Sequence, residues 1–375
     1  MAACIACSSR TEAGWVSRPR LPMRNESLKF VAAEMSLSRF MDRVWYRPNP
    51  CRWLLFPLSL LYRFTIAARR LMYRWGIRRA IALPVPVVVV GNLTLGGTGK
   101  TPLIIWLARE LAERGLRVGI VSRGYRGRAG SWPQSVDRNS NPDLVGDEPV
   151  LLARATGCPV SVGPDRVGAA RALLHRDEVD VLLSDDGLQH HALGRIMEIV
   201  VVDGDRGLGN GSCLPAGPLR EPGSRLAHAS AVVINDGDWE PARGTGNAFR
   251  AAPRARAVYQ LAGQGRKPLE AFHDTRVHAV AAIGHPERFF RLLQAAGVQV
   301  IAHPLTDHAP IAAADLRFGD SRPVLVTEKD AVKCERIADE NVWCVPIELC
   351  FEPQVSARLT ARVLGHIEER RWISP

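Results

Sequence analysis

The sequence lacks the marks of a secreted or bilayer-spanning chain. Residues 1–34 hold no continuous apolar core ahead of a small-residue cleavage site, which argues against a signal peptide. The apolar stretch WLLFPLSLLY, Trp53 to Tyr62, is interrupted by Pro57 and is about half the roughly 20 residues that a spanning helix needs. Zinc-ligand spacing is missing too. Of eight cysteines only Cys4 and Cys7 form a CxxC, with no second pair or histidine tail, so the thiols read as reduced and structural. Lysine and acidic residues are absent between Arg43 and Arg79, where nine arginines supply +9 of the net +11. A nucleic-acid-binding domain carries its basic residues on the folded body. Here they flank an apolar stretch, which fits an anionic membrane surface and argues against nucleic acid as a partner.

What is present supports a sizeable core, since 375 residues with 46% hydrophobic content suit two domains. Residues 1–34 show little periodicity and are expected to form a disordered extension, with Met35 as an alternative start. Residues 35–80 are expected to be a basic, membrane-associated helical segment lying in the interface. Its leucines and aromatics face the acyl region, while Arg63, Arg69, Arg70 and Arg74 reach the lipid phosphates. An ordinary amphipathic helix packed on the core is the alternative, and a signal anchor a third.

Pro84 to Val90 is too short for a helix and rich in β-branched residues, so it reads as a buried parallel strand. GNLTLGGTGKTP follows at once. In a P-loop, glycines let backbone N–H groups curl around phosphate oxygens, the lysine reaches the outer phosphates and the following hydroxyl binds magnesium. Lys100 and Thr101 occupy those places, and Thr94 stands where the generic motif has its first glycine, leaving Gly96, Gly97 and Gly99 to supply the freedom. Pro102 then opens a helix, LIIWLARELAERG, that ends at Gly115. A second strand, Val179 to Ser184, ends in Asp185-Asp186-Gly187, where ligands of open α/β sheets gather, so one aspartate there can hold magnesium. A turn that merely caps a helix is the competing account.

Other strand ends carry polar clusters. Arg117 to Ser122 leads into RGYRG, whose Arg123 and Tyr125 either contact an anionic or sugar substrate or form a solvated loop. Asp147 and Glu148 open a helix, as caps or as a base near the nucleotide. Met197 to Asp203 is a strand feeding a long Gly- and Pro-rich loop whose charges concentrate at Arg220 and Glu221, and a loop of that length reads as functional. A second α/β pattern starts near Val258, with strands at Val277–Ile283, Val298–His303 and Val324–Thr327 and a helix at Glu287–Ala296. His308 follows Asp307 in a loop there, a pairing that can orient or charge an imidazole.

The ordered motifs GNLTLGGTGKTP, SRGYRG, VGDEP, SDDGLQHH, LPAGPLREP, AIGHPERFF, LTDHAP and VTEKDAVKC together resemble those of tetraacyldisaccharide 4′-kinases, the lipid A 4′-kinases of Gram-negative bacteria. The resemblance runs from about Val44 to Ile347. It implies transfer of the ATP γ-phosphoryl group, with Mg²⁺, to the 4′-hydroxyl of a tetraacylated glucosamine disaccharide 1-phosphate. This anionic glycolipid lies at the cytoplasmic face of the inner membrane, so the enzyme is expected to be peripheral or monotopic there, and no protein partner is inferred. By the same resemblance the ATP loop is Thr94, Leu95, Gly96, Gly97, Thr98, Gly99, Lys100 and Thr101. Asp147 becomes the base paired with His308, and Lys100 stabilises transferred charge. Thr101, Asp185, Asp186 and Glu221 become the metal-side groups, with Arg123, Tyr125, Glu148, Gln189, His190 and Arg220 toward the substrate. Arg126 stands where relatives often have glycine.

The expected fold is α/β: a P-loop NTPase-like parallel sheet with helices on both faces over residues 81–255, and a smaller α/β domain over 256–350. A C-terminal helix, 351–375, is expected to pack back on the kinase domain, and a membrane-associated helix precedes them. Two other functions compete. A membrane-targeted partitioning ATPase places a lysine just before its glycine pair, where this chain has Leu95. A nucleotide sensor or scaffold has no use for Asp147 or His308.

Overall fold

The computed structural model describes residues 40–241 and 246–373, so the extension expected over 1–34, its CxxC and the first residues of the basic segment lie outside the described residues. The elements below all belong to the compact unit 43–375. Most of the arginine-rich stretch folds as the helix α1 (Cys51–Arg74), with Pro57 inside it, after a short helical segment over residues 40–46. Among the described residues no helix is long and apolar enough to cross a membrane. Its only buried residue is Ser59, whereas Leu54 is 82% and Phe64 71% exposed.

Strand β1 (Val87–Gly91) is buried throughout, and its alternating side chains feed two cores, Val88 and Val90 one, Val87 and Val89 the other. That two-sided burial is what an unbroken valine run imposes on a central parallel strand. The chain continues through α2 (Lys100–Ala112), β2 (Val118–Ser122), β3 (Gln134–Val136), α3 (Pro142–Val145) and α4 (Asp147–Thr156). Then come β4 (Val160–Val162), α5 (Arg166–Arg176), β5 (Val181–Asp185), β6 (Met197–Asp203), β7 (Ala231–Asn235) and β8 (Ala248–Ala255). One face of the sheet is covered by α2 and α4 through Leu103, Leu107, Val150 and Leu152, the other by α5 through Val167, Ala170 and Leu173.

A second sheet is built from β9 (Val258–Gln260), β10 (Arg266–Lys267), β11 (Arg276–Ala281), β12 (Gln299–Pro304), β13 (Val324–Thr327) and β14 (Val342–Val345). Helix α6 (Pro286–Ala295) packs Phe289, Phe290 and Leu293 on one side, and α7 (Glu328–Cys334) packs Ala331 and Cys334 on the other. The last strand, β15 (Ile347–Cys350), leaves this sheet and pairs antiparallel with β8, covering an edge that would otherwise stay open. The first sheet therefore has the order β15-β8-β7-β6-β1-β5-β2-β4-β3, parallel from β8 to β4, and the second the order β10-β9-β14-β13-β11-β12. Helix α8 (Pro353–Ile373) follows β15 onto the first sheet's face, where Leu359 and Val363 enter its core and Thr360 Oγ1 donates to Glu110 Oε2 at 3.2 Å. The smaller sheet thus closes at Val345, five residues short of the expected boundary, and both sheets lie inside one compact unit instead of two.

Candidate active site

The turn after β1 is organised by a side chain that motif reading passed over. Asn92 Nδ2 donates to Thr94 O (2.8 Å) and Gly96 O (3.2 Å), and its Oδ1 accepts from Lys100 Nζ at 3.0 Å. Thr94 is buried and pairs in an antiparallel bridge with Leu219, while Leu95 N donates to Pro218 O at 2.9 Å. A residue bridged in extended conformation has no need of glycine's freedom, which is why threonine fits there. Gly99 does need it. Its φ is +90°, and a Cβ there would lie 2.1 Å from Asn235 Nδ2, an amide that donates to Thr98 O.

Asp185 closes β5, is fully buried and accepts from Ser122 Oγ at 2.9 Å, while its Oδ1 has no hydrogen-bond partner. Burial pushes its carboxyl up, with the Glu148 charge adding to the effect. Asp186 adopts φ +47° in the turn, and no helix follows for it to cap. Its carboxylate takes both oxygens to Arg220 Nη1 (2.9 and 3.0 Å) and lies 3.5 Å from Lys100 Nζ. Burial works against its charged form, but Lys100 and Arg220 more than offset that and hold it far below the usual carboxylate range.

Arg220 sits in the long loop after β6, which the structure shows as a packed element. Cys213, Ala216, Leu219 and Glu221 are all buried. Helix α1 docks on this loop. Ser59 Oγ donates to Cys213 O (2.8 Å) and accepts from Ala216 N (2.9 Å), and Tyr62 Oη donates to Arg220 O at 3.2 Å. The basic helix is therefore fastened to the residue that engages Asp186.

Across the site, His308 Nδ1 lies 3.0 and 3.1 Å from the two oxygens of Asp147. Asp147 is the first residue of α4, and Gly146, not Asp147, is its cap. His308 has φ +57°, and Tyr125 meets its ring edge-on at 5.3 Å between centroids. Arg126 also takes a left-handed φ, +62°, the conformation that favours glycine, and from it donates to Asp307 O at 3.0 Å. Burial works against the Asp147 carboxylate, yet the His308 hydrogen bond and the charges of Lys329 and Lys333 bring it to about 2. A Cβ on Gly284 would lie 3.1 Å from Gly97 N and 3.2 Å from Asp307 Oδ2, so the loop carrying His308 lies against the phosphate turn.

The structure draws some expected residues elsewhere. Glu221, expected on the metal side, accepts from Gln189 Nε2 (3.0 Å) and ion-pairs with Arg225 (3.4 Å), while its buried Oε2 has no hydrogen-bond partner. Gln189 therefore serves Glu221 as well as lying 3.5 Å from Arg220. Glu148 spends its carboxylate on Lys329 Nζ at 2.9 Å. His190 is half-buried beside Arg166, Asp165, Arg195 and Arg69, its Nε2 unpartnered, and burial first and those arginines next push it down to about 4. Arg123 is exposed, and Tyr125 is half exposed. Residues that sequence reading did not assign are Asn92, Ser122, Asn235, Lys329 and Lys333. A signal existed for the lysines, since VTEKDAVKC places them just after the carboxyl end of β13.

Among the described residues no three His, Cys, Asp or Glu side chains converge on a ready metal cage. That suits magnesium in a phosphate site, which takes one or two protein oxygens and completes its shell with phosphate and water. The unpartnered Asp185 Oδ1 and the Thr101 hydroxyl at the start of α2 are the oxygens that fit. A phosphate turn on a central parallel strand, with acids at the neighbouring strand end and a carboxylate–imidazole pair brought against it, marks a P-loop phosphotransferase. The chain belongs to the tetraacyldisaccharide-1-P 4′-kinase family, which matches residues 51–364. Among similar curated proteins, the tetraacyldisaccharide 4′-kinase of Alkalilimnicola ehrlichii is 53% identical, covering 84% of this chain and 95% of its own. That of Nitrosococcus oceani is 50% identical, over 86% and 94%. The crystal structure of LpxK from Aquifex aeolicus in complex with ATP superposes with a TM-score of 0.71 at 28% identity, covering 84% of this chain and 99% of that one.

Proposed function

We propose that this chain transfers the γ-phosphoryl group of ATP to the 4′-hydroxyl of a tetraacylated glucosamine disaccharide 1-phosphate, with Asp147 as the base. The observation that carries this reading is the Asp147–His308 pair held at 3.0 Å, with Gly284 close to both the neighbouring Asp307 and Gly97 N of the phosphate turn. In the step, the hydroxyl O–H bond breaks and its proton passes to the Asp147 carboxylate. The hydroxyl oxygen bonds phosphorus as the bond from phosphorus to the β-phosphate oxygen breaks, leaving ADP. A carboxylate held near pKa 2 is a weak base at equilibrium. In a loose phosphoryl-transfer transition state the proton leaves late, so orientation of the hydroxyl matters more than base strength. Lys100, held 3.0 Å from Asn92 Oδ1 and 3.5 Å from Asp186 Oδ1, is the cation that meets the transferred charge. Thr101 and Asp185 are the groups that would hold Mg²⁺, which would neutralise phosphate charge.

The exposed apolar and arginine residues of α1 support docking on an anionic bilayer at the cytoplasmic face of the inner membrane, where such an acceptor resides. Purified protein given ATP and the tetraacylated disaccharide 1-phosphate should form a product bearing one more phosphate. Asp147→Asn should lower kcat by about 10²- to 10⁴-fold with little change in ATP affinity. Undiminished turnover in that variant rejects the base assignment.

A further inference from the structure

The imidazole of His308 is gripped from both ends. Nδ1 faces Asp147, and Nε2 lies 3.0 Å from Lys329 Nζ, on the second residue of α7. An ammonium group only donates hydrogen bonds, so Nε2 can only accept from it, and the single ring proton must then sit on Nδ1, donated to Asp147. Lys329 also reaches Glu148 Oε1 at 2.9 Å. Burial works against its charge, but Glu148, Asp147 and Asp307 outweigh burial and keep it protonated.

We propose that Lys329 is a positioning residue for phosphoryl transfer, holding His308 neutral in its Nδ1–H form so that Asp147 alone receives the acceptor's proton. This rests on the reading of Asp147 as base. A ring that accepts from Lys329 has no free site for a second proton, so the proton taken from the hydroxyl stays on the carboxylate until product leaves. The groups around the ring are consistent with that arrangement. They are Asp147 and Glu148 from α4, Lys329 and Lys333 from α7, Asp307 in its own loop (3.8 Å from Nε2), Tyr125 edge-on, and Arg126 bound to Asp307 O. A helix that only braced the fold through the Glu148 pair would not need its lysine aimed at a ring nitrogen.

Long-range ¹⁵N–¹H spectra of the full-length protein at neutral pH, with His308 signals assigned against His308→Gln, read the ring directly. The expected pattern is protonated Nδ1 and bare Nε2, and an Nε2–H ring or an imidazolium overturns the proposal. In Lys329→Met the ring should gain a second proton at neutral pH, and the acid limb of kcat/KM should move up by roughly one pH unit. Turnover at neutral pH should fall about tenfold or more, and Lys329→Arg should return the limb toward wild type. A lower Tm with limb and nitrogen shifts unmoved assigns Lys329 a structural role and refutes the proposal. Failure of the base reading is separable, because Asp147→Asn would then keep its turnover whatever the tautomer.

Discussion

At the scale of single residues, Asp147, the proposed base, also bears on acid stability. Its folded pKa of about 2 lies below the ordinary 3.8, so its contribution is present above the ordinary value and is lost as pH falls toward the folded one. The magnitude is roughly 2 kcal/mol. The stability gap between wild type and Asp147→Asn should therefore shrink on acidification through that window, measured by denaturant unfolding at each pH. A gap that stays constant contradicts the ion pairing. Residues of the phosphate turn were legible because a strand, a glycine-rich loop and a helix adjoin in sequence. Thr94 was visible as a departure but not its reason, which is a bridge to Leu219 far along the chain. Lys329 stood at a legible strand end, but its contacts were hidden for the same cause, since its partners Glu148 and His308 lie 181 and 21 residues away.

At the scale of elements, α1 and the loop after β6 act as one piece. Ser59→Ala leaves the buried Ala216 N without its partner and takes one of two donors from Cys213 O, which keeps Gly217 N, and the loss at Ala216 N costs about 1–3 kcal/mol. Leu54→Ser on the exposed side of the same helix should change stability little. Thermal unfolding of the two variants side by side checks this, and equal Tm values would refute the docking. The apolar-and-arginine pattern announced a helix, but its attachment point was one serine in a leucine-rich run, with no periodicity to single it out. Strand β15 was equally silent. Four residues carry too little pattern to say which sheet they join, and only the open edge of β8 decides it.

At the scale of the molecule, the two sheets are latched where the phosphate turn meets α6. Arg288 donates to Asp203 Oδ2 (3.2 Å) and Asn235 O (3.2 Å), joining a helix of the second sheet to the carboxyl ends of β6 and β7. Arg288→Met removes one partner of the buried Asp203 carboxylate, which keeps His285 and the backbone N–H groups of Asp205 and Arg206, at a cost of about 1–3 kcal/mol. It should also lower kcat while Asp147, His308 and Lys100 are intact, because it loosens the half that carries His308. Hydrogen exchange in residues 304–309 should rise in parallel, and unchanged exchange with full turnover would contradict the latch. The attachment of α1 has a different consequence, one for kinetics. A helix fastened to the Arg220 loop sets the height of the phosphate turn above any surface on which the helix rests. On the proposed bilayer docking, the acceptor would be met by two-dimensional encounter, and turnover should follow its mole fraction in the lipid plane, falling with surface dilution even when bulk concentration is held constant.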